Sequence, residues 1–402
     1  MWITPPFYKN KSMGKEAKIQ PIVHEGNTIF HVTERYLSER YSFRFNTTSK
    51  EIEIKSKSGS NSWNQFNENT LYIELQKNGI KCNINNLLAI VKSDFTPNFD
   101  PIDDYFSNLK PWTKHEGSYI SKLCKYIKTS TPEQFELAFK KWLVRAVKCA
   151  LLPDYFNKQA LILVHNKQNS GKSTFCRWLC PPALSDYFAE DISDDKDSRI
   201  MLTTNFLINL DELSSLHRKE INNLKSMFSK DKINARLPYD RKSSILNRIC
   251  SFIGSTNLSE FLTDETGSVR WLCFELNSIE WRYKSDINVN DIWREAYTLH
   301  LEGFDCSLTR DEIEENEKRN QSYQQRSVEF EAIQKLFEVP NLFDEGEFFT
   351  ATDVVQLITT HTTLKVNRTM VGRAITAMAF PKAREGDRHG YRMIFHKPKY
   401  DS

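Results

Sequence analysis

Gly171-Lys172-Ser173-Thr174 stands directly after an apolar run, ALILV, and a short polar loop, with a helix-suited stretch behind it. Strand, tight turn and helix start together are the setting of a phosphate-binding loop. In that chemistry the backbone N–H groups of the loop and of the helix N-terminus surround the phosphates. Lys172 neutralises the β- and γ-phosphates, and the Ser173 hydroxyl ligates Mg²⁺. Asn166, Gln168, Asn169, Ser170, Gly171, Lys172, Ser173 and Thr174 are therefore the candidate ATP-binding residues. Asn166 stands where the pattern G-x-x-x-x-G-K-[ST] has glycine, and Asn169 replaces another glycine common in such loops. Both departures bear on ATP affinity, but asparagine is the non-glycine residue that best tolerates positive φ, which keeps the turn accessible. An ordinary strand-to-helix turn that carries these residues by chance is the plain alternative.

Three further positions fit the same chemistry. Thirty-nine residues after Lys172, the apolar run FLINL ends in Asp211-Glu212. Acidic residues at the carboxyl end of a buried parallel strand suit an NTPase, with Asp211 holding Mg²⁺ and Glu212 polarising the attacking water. A helix-capping acidic pair is the alternative. The run ICSFIGSTN ends at Asn257, which can hydrogen-bond a γ-phosphate and the attacking water, or merely form a turn. Thirteen residues further on, Arg270 follows a glycine turn in DETGSVRW. There it can reach a neighbouring subunit as an arginine finger, a device worth roughly 10³–10⁵ in rate, or stand as an ordinary surface arginine.

The elements that must position these groups follow from pattern. The 402 residues suffice for two or three domains, and 39% apolar content with 12% aromatics describes a globular chain. Residues 152–305 alternate short apolar runs with helical stretches, the rhythm of a parallel sheet covered by helices. Residues 1–112 read as a small α+β module with a hairpin in YSFRFNTTSKEIEIK, 113–151 as a helical connector and 306–340 as an acidic helix and linker. The last stretch, 341–402, reads as two helices capped by Thr350 and Asn367, then a basic hairpin. That is a winged-helix pattern, placing Arg368, Arg373 and Arg388 toward duplex DNA, though protein docking is open to the same fold. A net charge of +3 leaves any nucleic-acid affinity to such local patches. The eight cysteines form no C-x-x-C pair, and no stretch has the ~18 apolar residues of a membrane span. These features, with no apolar segment near the N-terminus, place the chain in the cytoplasm with no membrane partner.

The order of phosphate loop, DE strand, STN strand and TGxxR resembles the superfamily-3 helicases of phages, plasmids and small viruses. The segment LPYDRKSSILNRICSFIGSTNLSEFLTDETGSVRW is similar to the virulence-associated-E type of mobile-element AAA+ protein, and the likeness covers most of the chain. Val269 stands where family members often carry a second arginine. The resemblance implies an α/β AAA+ P-loop core that hydrolyses Mg·ATP to translocate on DNA during replication of a mobile element. It implies a ring, a hexamer, whose pore holds single-stranded DNA, with a primase or another replication protein as a further partner. It also implies a hairpin into the pore from the stretch Lys225 to Arg248, in which seven basic residues outnumber two acidic ones. Lys230, Lys232, Arg236 and Arg241 are its candidate DNA contacts, against the plainer reading of a solvated basic loop. The rival function is a DNA-binding initiator or regulator with a degenerate ATPase site.

Overall fold

The computed structural model describes residues 28–397 except 60, 191, 193–194, 212, 214–217, 236–242, 259, 263–267, 325–326 and 342–345. The chain divides into two compact units, 1–46 with 51–99 and 47–50 with 100–402. In the first unit a helix, Ile29–Arg40, leads into the hairpin Tyr41–Asn46 and Glu51–Ser56, paired from Tyr41↔Ser56 to Asn46↔Glu51. Phe43 points inward, onto Leu37, Leu71, Leu75 and Leu87. The sequence boundary at 112 moves back to Phe99. Pro101 opens a helix, Pro101–Ser107, instead of ending a module. That helix buries Ile102 and Phe106 in the second unit, where Phe106 meets Phe206 and Trp293 edge-on.

The second unit is built on five parallel strands: β1 (Ala160–Val164), β2 (Phe188–Glu190), β3 (Leu207–Leu210), β4 (Ser251–Thr256) and β5 (Trp271–Ile279). Their order is β5-β1-β4-β3-β2, with Ile127–Thr129 antiparallel at the outer end of β5. The fold is thus α/β with a parallel sheet, as the alternation of apolar runs and helices implies. All five residues of β1 are buried because both faces are covered. Leu161 and Leu163 pack with Phe139, Trp142 and Phe175 on one side. Ala160 and Ile162 pack with Leu224, Phe228 and Phe252 on the other. Neither β2 nor β5 is readable from pattern: β2 is three residues long, and β5 loses its alternation after Leu276, where Asn277 and Ser278 are both exposed at a register shift.

Helix α1 (Lys172–Trp178) follows β1, and α2 (Arg218–Phe228) precedes an antiparallel hairpin of Lys232–Ala235 and Ser244–Asn247. Arg248, 1% exposed, closes the hairpin base. Its guanidinium donates to the carbonyls of Met227 (3.2 Å), Phe228 (2.8 Å), Cys250 (3.1 Å) and Asn157 (2.7 Å). One buried side chain thereby caps the end of α2 and ties the hairpin to the start of β4.

The region read as an acidic helix and linker holds two helices, Arg310–Asn320 and Val328–Leu336. Asn316 and Asn320 of α3 (Arg310–Asn320) donate to the Trp271 carbonyl at 3.0 and 2.8 Å, and Arg319 to that of Cys273 at 2.8 Å. Side-chain donors thus satisfy carbonyls of β5 on the side away from β1. Helix α4 (Val328–Leu336) joins the C-terminal core with β6 (Glu347–Phe349), α5 (Ala351–His361), α6 (Arg368–Ala377), β7 (Lys382–Glu385) and β8 (Arg388–Phe395). Ile333, Val354, Ile358, Val371, Ile375 and Met393 fill that core. The C-terminal core therefore includes α4, ahead of position 341, where the stretch of two helices and a hairpin was read to start.

Thr350 and Asp353 form a capping box on α5, and Asp353 also meets Arg388 at 3.0 Å. Burial alone would raise the Asp353 carboxyl. The Thr350 hydrogen bonds and Arg388 outweigh it and hold the group below the usual aspartate value.

Two stability predictions follow from these contacts. Arg248→Ala orphans buried carbonyls and lowers stability by about 3 kcal/mol in denaturant titration, with Arg248→Lys failing to restore it because an ammonium cannot fork to them. The Asp353 contribution is present above the unfolded-state pKa, about 3.9, and is lost as the pH falls through the lower folded-state value. Asp353→Asn should therefore flatten the acid limb of the stability–pH curve.

Candidate functional site

The loop after β1 carries the first part of the site. His165 N–H continues the sheet by donating to the Thr256 carbonyl at 3.1 Å, after which the chain leaves the sheet. It reverses through Asn169, at φ +57°, and Gly171, at φ +89°. Asn169 thus uses the left-handed region that asparagine tolerates, while Asn166, with no positive φ, needs no glycine. Gly171 starts α1 by accepting from Phe175 N–H at 2.9 Å.

Lys172 is 6% exposed. Its ammonium donates to the carbonyls of His165 (3.1 Å) and Lys167 (3.2 Å), to Ser170 Oγ (2.9 Å) and to Asn257 Oδ1 (2.8 Å). Burial lowers its pKa below the ordinary lysine value, and the Asp211 carboxylate pulls it back upward. The second focus is Asp211, just beyond β3. Its Oδ1 accepts from Ser173 Oγ at 2.6 Å and Ser255 Oγ at 3.0 Å, and its Oδ2 from Arg177 at 3.0 Å. Arg177 also pairs with Glu190 at the end of β2.

These side chains meet in a cleft of about 330 Å³, lined by residues 168–174 together with Arg177, Asp211, Ser255, Thr256 and Asn257. It lies beyond the carboxyl ends of β1, β3 and β4, where open parallel sheets bind ligands. Two cations and a run of loop backbone suit a polyanion. Ser173 Oγ, Asp211 Oδ1 and Ser255 Oγ are hard oxygen donors with a single carboxylate, a set that fits Mg²⁺ completed by phosphate oxygens and water. No cluster of three His, Cys, Asp or Glu capable of holding a metal occurs among the described residues.

The structure thus brings together Gln168, Asn169, Ser170, Gly171, Lys172, Ser173, Thr174, Asp211 and Asn257, while Asn166 does not line the cleft. Glu212, Arg236 and Arg241 lie outside the described residues. Arg270 is exposed and donates to Ser229 Oγ at 2.8 Å. Its carbonyl accepts from Ala160 N–H at 2.9 Å, which puts it beside the start of β1, whereas the loop leaves the far end. The strand length separates them by roughly 16 Å, so Arg270 does not serve the cleft of its own chain. Lys230 and Lys232 stand at the hairpin base, Lys232 being 3.7 Å from Asp154. On α6, Arg368 and Arg373 are exposed, whereas Arg388 is engaged with Asp353 and lies 5.8 Å from the Phe348 ring centroid.

Residues 109–325 match the virulence-associated protein E-like domain. The chain belongs to that family. Among solved structures, the VapE-like chain is similar to the apo C-terminal region (305–718) of NrS-1. They share 15% identity over 92% of this chain and 100% of that one, with a TM-score of 0.52. The A form of the same region gives 15%, 92%, 100% and 0.50. A structure titled SCCmec type IV Cch, active helicase, shares 14% identity over 88% and 92% of the two chains with a TM-score of 0.42. At these identities the NrS-1 likeness concerns the fold. No curated protein matches the chain.

Ser255 and Arg177 line the cleft and Glu190 pairs with Arg177, yet none carries a signal as strong as GKST. Ser255 lies two residues before Asn257, so strand alternation points both the same way. Arg177 is four residues after Ser173, one helical turn along the same face. Nothing in the sequence marks Glu190.

The loop geometry predicts that Asn169→Gly leaves thermal stability nearly unchanged. Asn169→Val, β-branched at positive φ, should cost about 1–2 kcal/mol in the same melts.

Proposed function

We propose that this VapE-like protein hydrolyses Mg·ATP to drive its own movement along DNA during replication of a mobile element. The observation that carries this reading is the convergence of Lys172, Ser173, Asp211 and Asn257 from three strand ends on one polar cleft. Lys172 neutralises the β- and γ-phosphates, with loop backbone around them. Ser173 and Asp211 would hold Mg²⁺, which would supply charge neutralisation for the phosphates. Asn257, already bonded to Lys172, orients the γ-phosphate end, and Glu212 takes a proton from the attacking water. The rival reading of a degenerate site rests on Asn166 and Asn169; the left-handed Asn169 and the convergence of Lys172, Asp211 and Asn257 favour an active loop over it.

Arg270, far from its own cleft, acts in trans as the arginine finger of a neighbour in an AAA+ ring, taken as a hexamer. The basic stretch from Lys225 to Arg248, with Lys230, Lys232, Arg236 and Arg241, grips single-stranded DNA in the pore. The C-terminal helices and hairpin form a winged helix in which Arg368 and Arg373, exposed on α6, face duplex DNA. Arg388, the first residue of β8 beside the hairpin turn, is tied to Asp353 and reaches phosphate from there.

Steady-state ATP hydrolysis, with and without single-stranded DNA, tests the whole scheme. Wild type should be stimulated by DNA, and Lys172→Ala should be inactive in both conditions. Glu212→Gln should bind ATP and turn over at least ~100-fold more slowly. Mixing Arg270→Ala into wild type should depress activity more steeply than its mole fraction. A strictly proportional loss rejects the trans finger, and DNA-independent hydrolysis rejects the motor.

A further inference from the structure

Immediately beyond β5 the chain presents Trp281, 51% exposed, although large aromatics are ordinarily buried. The indole lies against the phosphate loop. A Cβ placed on Gly171 would fall 3.1 Å from both Cζ2 and Cη2 of Trp281. Glycine at 171 therefore serves two purposes, a positive φ and room for this ring.

The ring is held in place from behind. Tyr283, two residues on, is fully buried and packs edge-on against Phe175 (5.7 Å between ring centroids) and Trp178 (4.8 Å), both on α1. The helix that begins at Lys172 thus anchors the segment bearing Trp281. Lys284 Nζ stands over the indole, 5.0 Å from its centroid.

Trp281 is not among the residues lining the polar cleft, which includes Gly171 itself. The two surfaces are neighbours across that glycine. A ligand whose terminal phosphates sit between Lys172, Ser173 and Asp211 and whose chain continues past Gly171 meets the half-exposed indole next, a planar apolar platform that also has Lys284 over it. Phosphates followed by a flat aromatic group describe a nucleotide and not a sugar phosphate or a free polyphosphate.

We infer that Trp281 is the base-stacking residue of this site, receiving the nucleobase of the triphosphate held by the loop. The inference rests on the nucleotide reading above and adds to it the part of the substrate that the loop does not recognise. Stacking uses the π-face that every base presents, so Trp281 supplies affinity for the nucleoside and not discrimination by hydrogen bonds.

Direct binding of Mg·ATP and of Mg·tripolyphosphate, measured by calorimetry on wild type, Trp281→Ala and Trp281→Phe, tests it. Tripolyphosphate carries the phosphates without base or ribose. Trp281→Ala should weaken ATP by roughly tenfold while leaving tripolyphosphate at its wild-type affinity, and Trp281→Phe should recover most of the loss. Equal weakening of both ligands by Trp281→Ala makes the indole a support of the loop and overturns the inference. Unchanged affinity for both makes it idle, with the same consequence. If wild type binds tripolyphosphate and ATP equally well, the base has no site at all. If it binds neither, the nucleotide reading itself has failed and the stacking role falls with it.

Discussion

Lys172 is largely buried, and an ammonium so enclosed is costly unless its protons have acceptors and a negative charge lies near. The second unit meets both demands at once. Two loop carbonyls, Ser170 and Asn257 surround the ammonium, and the Asp211 carboxylate supplies the opposing charge. This constraint couples the exits of β1, β3 and β4, because Asn257 is on one, Asp211 on another and the lysine follows the third. Any shift of register between those strands would separate the groups.

Cations recur as internal fasteners elsewhere in the unit. Arg248 holds four carbonyls at the hairpin base, and Arg319 closes a carbonyl of β5. Lys141 meets the Ser307 carbonyl and Glu312 at 2.8 and 2.7 Å. A guanidinium offers five donors in a fixed fork, which suits clusters of carbonyls at the ends and edges of regular elements. Basic residues near the hairpin therefore divide by burial: Arg248 is structural, while Lys232 remains exposed at its base.

The site was legible in the sequence where chemistry and local order coincide. GKST, Asp211 and Asn257 all stand at the ends of short apolar runs, and a strand end is a place that local pattern can find. Arg177, Ser255 and Glu190 were not legible in the same way. Their role depends on a partner 34, 44 or 13 residues away, and distance along the chain says nothing of distance in space. The domain limits at Phe99 and ahead of 341 shifted for a related reason: prolines and charge mark where local pattern changes, whereas units are delimited by what packs together.

The sequence by itself determined the α/β rhythm, the polar loop between β1 and α1 with the order of the groups that meet it, and the capped helices before the final hairpin. Each is a local property, set by side-chain periodicity, backbone preference and a hydrogen bond to a near neighbour. Tertiary structure alone decided that Arg270 lies at the opposite end of β1 from the cleft and that α3 covers the edge of β5. It also set Trp281 against Gly171, 110 residues apart in the chain. Those relations come from the order in which parallel strands lie side by side. Crossovers set that order, and no window of residues contains one.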